Sequence, residues 1–450
     1  MSISSVAAQE RGRGSRTSER AEIEPVAESL AARYRAVRAW THSICEPLAT
    51  EDYVVSSMSD VSPTKWHLAH TSWFFETFVL GPHLPGYHQL DPRYAYLFNS
   101  YYVQAGERHC RAQRGLVTRP TVEEVFEYRA HVDAHMLALI GDIEAEPSAR
   151  RGGMSAPELR DLIVLGLNHE QQHQELMLTD IKHVFWMNPL RPTYAPRNGQ
   201  ELVESAVGRT GWATVPEGIH NIGYQGGGFA YDNEGPSHRV FLEASRLATQ
   251  LVTNAEYRAF MEDGGYRRPE LWLSAGWDAV RSEGWEAPFY WERDNGNWTV
   301  FTLHGTEPVR DAEPVCHVSF FEADAYARWA GARLPTEFEW EVAAANAPID
   351  GTFAESRRFH PAPVAAGGDG LRQLYGDVWQ WTGSPYTPYP RYRPAAGAIG
   401  EYNGKWMCDQ WVLRGASVAT PRTHPRPTYR NFFHAPTRWQ FTGMRLAEDA

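Results

Sequence analysis

A change of sequence grammar near residue 190 restricts this chain to a fold in two parts. Before it, long stretches repeat apolar residues at three- and four-residue intervals. After it, short segments rich in Gly, Pro, Trp and Tyr follow one another to the end. Ala27 to Ile44 places Leu30, Tyr34, Val37 and Trp40 along one side, the pattern of a helix with one buried face. Lys65 to Leu80 runs without a breaker until Gly81-Pro82, which predicts a stop. Val122 to Ile143 and Ala156 to Trp186 supply two more helices, with Pro63, Gly152-Gly153 and Pro189 as punctuation. Four long helices with uneven connections predict a bundle, a fold that builds metal sites from inward-facing side chains.

Beyond Pro192, Pro196, Asn198 and Gly199, only Asn254 to Met261 and Glu322 to Ala330 read as helices. The rest predicts an α+β domain of short strands and long ordered loops, with no internal repeat. The aromatic load of 17 Trp, 21 Tyr and 19 Phe suits such a loop-rich domain, packed by large side chains. The expected divisions are 1–24 as a disordered extension, 25–190 as the bundle, 191–204 as a linker and 205–450 as the second domain. A length of 450 residues suits two cores and leaves material for a pocket.

Charge narrows the partners. With 43 Lys+Arg against 55 Asp+Glu the net charge is -12, which argues against non-specific nucleic-acid binding. No apolar run approaches the roughly 20 residues of a membrane span. The polar opening, with Arg11, Arg13, Arg16 and Arg20, lacks a signal-peptide core. Four cysteines without C-x-x-C spacing (Cys45, Cys110, Cys316, Cys408) read as reduced thiols. The expectation is a cytoplasmic protein without membrane or nucleic-acid partners. No sequence feature sets its oligomeric state.

The chemistry concentrates in Asn168-His169-Glu170-Gln171-Gln172-His173. Residues four apart stand one above the other on a helix, so His169 and His173 can chelate one ion. Imidazole suits zinc, copper and iron. A third ligand is available from Trp66-His67-Leu68-Ala69-His70, where spacing alone does not choose between the two histidines. The same residues match H-E-x-x-H, the zinc-peptidase signature in which Glu170 would be the general base. The Gly and His of the longer peptidase motif do not follow, because Gln174, Glu175 and Leu176 stand there.

The helical motifs resemble the DinB-like bundle that ergothioneine sulfoxide synthases fuse to a sulfatase-modifying-factor domain. The stretches are Trp66 to His70 with Phe75-Glu76, and Gly166 to His173. In the second half they are Val252 to Tyr257, Gly331 to Trp340, Gly376 to Thr382 and Val412 to Ser417, so the resemblance spans about residues 28–448. It implies a multidomain α and α+β protein, in which a DinB-like four-helix bundle precedes a formylglycine-generating-enzyme-like (C-type-lectin-like) domain. It implies Fe(II) held by His70, His169 and His173, with cysteine, N-alpha-trimethylhistidine and molecular oxygen as reactants. The product would be a carbon–sulfur bond carrying one sulfoxide oxygen. Formylglycine-generating oxidases share the second domain, but they use a cysteine pair after the stretch matching Arg414-Gly415-Ala416-Ser417, and no cysteine follows here.

The same resemblance implies roles around the metal. Arg111 and Arg114 match the pair that holds the thiol substrate's carboxylate, a task suited to guanidinium forks. Tyr102, then Tyr101, match paired tyrosines that donate a proton toward oxygen. Tyr386 and Tyr389 are the competing candidates from the second domain. Gln172 and Asn431 match residues near the imidazole, and Phe432 and Phe433 would face its quaternary ammonium. Synthases that use γ-glutamylcysteine carry Trp-Asp after the Asn, with an arginine nearby that grips the glutamyl part. Phe432-Phe433 stands there instead and Arg438 alone remains, so free cysteine is the expected thiol. γ-Glutamylcysteine is the alternative thiol, and histidine itself the alternative imidazole.

Overall fold

The computed structural model describes residues 29–197, 210–364 and 370–450. The expected extension over 1–24 and linker residues 198–204 lie outside the described residues. Helices α1 (Leu30–Cys45), α2 (Thr64–Phe75), α3 (Val122–Ala145) and α4 (Ala156–Met187) form the bundle. The Ser29 side chain caps α1, and Thr121–Glu124 and Ser155–Glu158 capping boxes start α3 and α4. All 12 residues of α2 are buried. Its polar side chains are satisfied accordingly: Lys65 Nζ donates to the carbonyls of Val117 and Pro120 at 2.7 and 2.9 Å.

The stop expected at Gly81-Pro82 does not occur. Glu76–Leu80 widens into a π-helical turn, and the chain stays helical through Gly81–His83. The Gly81 amide bonds to the Glu76 carbonyl, and Pro82, which has no amide hydrogen, falls at the start of the next turn.

In the second half, a four-stranded sheet has the order Asn431–His434, Gln410–Gly415, Trp379–Pro385, Thr442–Gly443. Its last pair is parallel and the others are antiparallel. Smaller antiparallel sheets surround it. Besides Asn254–Glu262 and Phe320–Trp329, helices absent from the sequence reading form at Ser274–Glu283 and Glu337–Ala344, with a single turn at Glu401–Gly404. The helix Glu337–Ala344 is only 8 residues long, and the Thr336–Glu339 capping box starts it.

The two halves share a core. Leu68, Phe75, Leu139 and Leu167 of the bundle pack in one cluster with Tyr290, Phe301, Val378 and Phe441. A second core, around Tyr257, Trp340 and Trp381, is built from buried residues of the second half, with Leu165 of α4 packed against it. Helix α4 carries the polar part of the seam. Its Glu175 accepts from Trp379 Nε1 at 2.7 Å, Ser417 Oγ at 2.5 Å and Thr420 Oγ1 at 2.7 Å. Gln171 Nε2 donates to Thr423 Oγ1 at 2.6 Å. Among the described residues no helix is long and apolar enough to cross a membrane.

Candidate active site

His169 and His173 lie one turn apart on α4, and His70 reaches them from α2. One ring nitrogen of each lies within 4.8 Å of the others, and all three residues are buried. Hydrogen bonds decide which nitrogens are free. His70 Nδ1 lies 2.6 Å from the Phe98 carbonyl, which only accepts, so Nδ1 carries the proton and Nε2 keeps its lone pair. That Nε2 and both nitrogens of His169 are buried without a partner. Burial pushes the His169 pKa down to about 3. Burial and the neighbouring His169 hold His70 and His173 well below the ordinary value. Three neutral imidazoles with ring nitrogens this close to one another fit a metal ion.

Glu170 turns the other way. It accepts from Arg38 Nη1 at 2.9 Å, from Thr41 Oγ1 at 2.6 Å and from Arg129. Burial alone would raise its pKa, but Arg129 and Arg38 prevail and hold it at about 2. A carboxylate so engaged cannot serve as a peptidase base, so the H-E-x-x-H match is a coincidence of spacing.

The two histidines of α2 stand in different surroundings. The His70 ring is stacked between Trp66 (4.6 Å, 11°) and Trp73 (5.4 Å, 16°). His67 instead has both nitrogens occupied, by His173 at 2.8 Å and Asp180 at 3.0 Å.

Arg114 covers the Trp66 ring, 3.4 Å from its centroid. Its Nη1 donates to Ser62 Oγ at 2.9 Å. Burial, then Arg111 and Arg108, pull its pKa down to about 9, so it remains charged at neutral pH without an ion-pair partner among the described residues. Arg111 is not brought alongside: it is exposed and donates to the Asp60 carbonyl at 2.6 Å.

Tyr102 is buried against Trp73 and Phe78, and Tyr101 stacks on it at 4.7 Å. Burial and Tyr402 raise the Tyr102 pKa, which keeps its phenol protonated. The second half pins this loop, since Glu401 accepts from the amides of Val103 and Gln104 at 2.8 and 3.0 Å. A cavity of about 620 Å³ opens beside His169, lined by Phe74, Tyr102 and His169 from the bundle and by Tyr231, Tyr402 and Asn403 from the other half. An adjoining hollow of about 140 Å³ brings Gln172 together with Asn431, Phe432 and Phe433. Gln172 is fixed there, donating to Tyr429 Oη at 2.7 Å and accepting from Tyr402.

The competing tyrosines are held by partners within the second half. Tyr386 stacks on Phe432 (4.1 Å, 10°), and its hydroxyl accepts from Asn233 at 2.9 Å. Tyr389 donates to Glu337 at 3.1 Å inside a buried cluster with Arg414. Arg438 is held by Glu322 at 2.8 and 2.9 Å. Sequence reasoning missed Tyr402 and Asp180. Asp180 follows His173 by two helical turns, a readable spacing; Tyr402 lies in no motif.

Residues 23–177 match the DinB superfamily, and residues 209–367 and 356–450 match the sulfatase-modifying factor enzyme 1-like domain. A hercynine oxygenase of Mycolicibacterium smegmatis is 34% identical over 430 residues, 86% of this chain and 91% of that protein. One of Mycolicibacterium thermoresistibile is 35% identical over 432 residues, 86% of this chain and 88% of that protein. The chain belongs to the hercynine oxygenase family. It is therefore an oxygenase, with a buried three-histidine cluster suited to a metal.

A formylglycine-generating enzyme of Streptomyces coelicolor is 30% identical over 280 residues, 50% of this chain and 84% of that protein. In this hercynine oxygenase family member the stretch from Arg414 to Thr420 serves the second half's interior and the seam. Ser417 and Thr420 bind Glu175, Arg414 pairs with Glu337 and Glu341 at 2.8 and 2.9 Å, and all four cysteines are unbonded.

Proposed function

We propose that the chain is an iron(II)-dependent sulfoxide synthase of ergothioneine biosynthesis, joining cysteine to the imidazole of N-alpha-trimethylhistidine (hercynine). The observation that carries this reading is a buried histidine cluster with unpartnered nitrogens, opening on a cavity that both halves line. Iron(II) held by His70, His169 and His173 would supply the one-electron chemistry that brings molecular oxygen, thiol and imidazole together.

The chain's own groups have distinct tasks. Arg114 binds the cysteine carboxylate, and Arg111 on the same turn adds positive charge at the surface. Gln172, its amide fixed by Tyr402 and Tyr429, orients the imidazole together with Asn431. Phe432 and Phe433 face the trimethylammonium group, which aromatic rings attract. Tyr102, backed by Tyr101, supplies a proton or hydrogen bond at the oxygen face, favouring the sulfoxide over cysteine sulfinic acid.

Thiol choice follows from what is missing. The extra ammonium and carboxylate of γ-glutamylcysteine need partners, and leaving either buried alone costs several kcal/mol. Phe433 offers none, and Arg438 is already committed to Glu322. The test is an anaerobic mix of Fe(II), cysteine or γ-glutamylcysteine, and hercynine or histidine, opened to oxygen and followed by mass spectrometry. Cysteine with hercynine should give the sulfoxide, with kcat/KM at least about tenfold above that for γ-glutamylcysteine. No coupled product from any pair would reject the reaction; a preference for the dipeptide would reject the thiol assignment.

A further inference from the structure

Behind the histidine cluster lies a chain of hydrogen bonds that the proposed reaction does not itself require. Asp180 and His173 project from the same side of α4, and His67 of α2 bridges them. His67 Nε2 lies 3.0 Å from Asp180 Oδ2, and His67 Nδ1 lies 2.8 Å from His173 Nδ1. All three side chains are nine-tenths buried or more.

The proton positions follow in order. A carboxylate only accepts, so His67 Nε2 must carry a hydrogen. With its one ring hydrogen on Nε2, His67 accepts at Nδ1. The hydrogen between the two rings therefore belongs to His173 Nδ1, and the His173 lone pair is left on Nε2. His70 is set the same way by the Phe98 carbonyl. His169 has no such partner at either nitrogen.

The same Asp180 Oδ2 accepts the Ser62 amide at 2.9 Å, and the Ser62 hydroxyl accepts from Arg114 Nη1 at 2.9 Å. One carboxylate thus sits at the root of two branches, one ending on a histidine and the other on the buried guanidinium.

We infer that Asp180 and His67 are positioning residues. Through them the chain fixes the His173 tautomer and ring angle before any metal arrives, while Ser62 ties Arg114 to the same anchor. The inference rests on reading His70, His169 and His173 as ligands. Partners behind a ligating histidine generally change metal affinity by about 10–100-fold when removed.

The test uses the full metal-free chain titrated anaerobically with Co(II), read by calorimetry and by the visible ligand-field bands. Asp180→Leu, which keeps bulk but removes the acceptor, should weaken Co(II) binding by about 10–100-fold and change the bands. Asp180→Asn, which can still accept from His67 Nε2–H, should stay within a few-fold of the parent with its bands preserved. A merely structural role would not produce that rescue. Should Asp180→Leu fail to fold, His67→Phe carries the same expectation. If either variant folds and leaves affinity and bands unchanged while His70→Ala abolishes binding, the relay is overturned and the ligand reading stands. If His70→Ala, His169→Ala and His173→Ala all bind Co(II) like the parent, the ligand reading itself falls.

Discussion

His169 and Glu170 are consecutive residues of one helix, both buried, and they stand in opposite kinds of surroundings. Every oxygen of Glu170 is engaged by Arg38, Arg129 or Thr41. Both nitrogens of His169 are unpartnered. The second half repeats the first kind, with Glu337 enclosed by Arg414, Arg430 and Tyr389. The difference separates scaffold from chemistry: a satisfied buried ion holds elements in place, whereas an orphaned buried base costs stability and persists for what it can bind.

The largest expected effect tests the orphaned side. His70→Ala, His169→Ala and His173→Ala should each abolish turnover, and His169→Ala, which breaks no hydrogen bond, should lower the melting temperature of the metal-free chain least. Metal content and a thermal melt measured on each variant check this together. A variant that keeps activity removes its residue from the site.

Glu170→Ala should reverse the pattern. Removing one partner from a buried ion cluster strands Arg38 and Arg129, which costs about 3–5 kcal/mol in chemical denaturation. Whatever folded protein remains should still bind metal. Loss of metal without loss of stability would merge the two clusters into one.

The comparison also explains how far the sequence could be read. The bundle was legible because its helices keep an apolar period over many turns, and because His169 and His173 share a face by spacing alone. Gly81-Pro82 misled because a π-helical turn absorbs the break, and no local residue announces that geometry. The helix Glu337–Ala344 was readable from Thr336 and Glu339, but it is short and its surroundings resemble loop. Spacing could not choose His70 over His67; the resemblance pointed to His70, and the engagement of His67 by Asp180 is visible only in the tertiary structure. Tyr402 meets Gln172 across 230 residues of chain, a contact only the tertiary fold creates. Arg111 and Arg114 read alike as a pair, yet Arg114 is buried over the Trp66 ring while Arg111 stays exposed on the Asp60 carbonyl, a difference set by the tertiary neighbours and not by the spacing.

A smaller effect belongs to the cavity wall. Tyr102→Phe should leave substrate affinity intact and raise the share of cysteine sulfinic acid among the products. Product ratios by mass spectrometry check it. A ratio that shifts only in Tyr386→Phe would move the proton donor to the second half, against the stacking of Tyr386 on Phe432.

The central claim is that the unpartnered histidines form the metal site and leave room for the thiol. X-ray absorption at the iron edge, on the anaerobic Fe(II)-loaded chain before and after adding cysteine, addresses it directly. The expected spectrum shows three imidazoles without sulfur at first, and a new sulfur neighbour once cysteine is present. An iron environment lacking histidine, or one that gains no sulfur at saturating cysteine, would contradict the account.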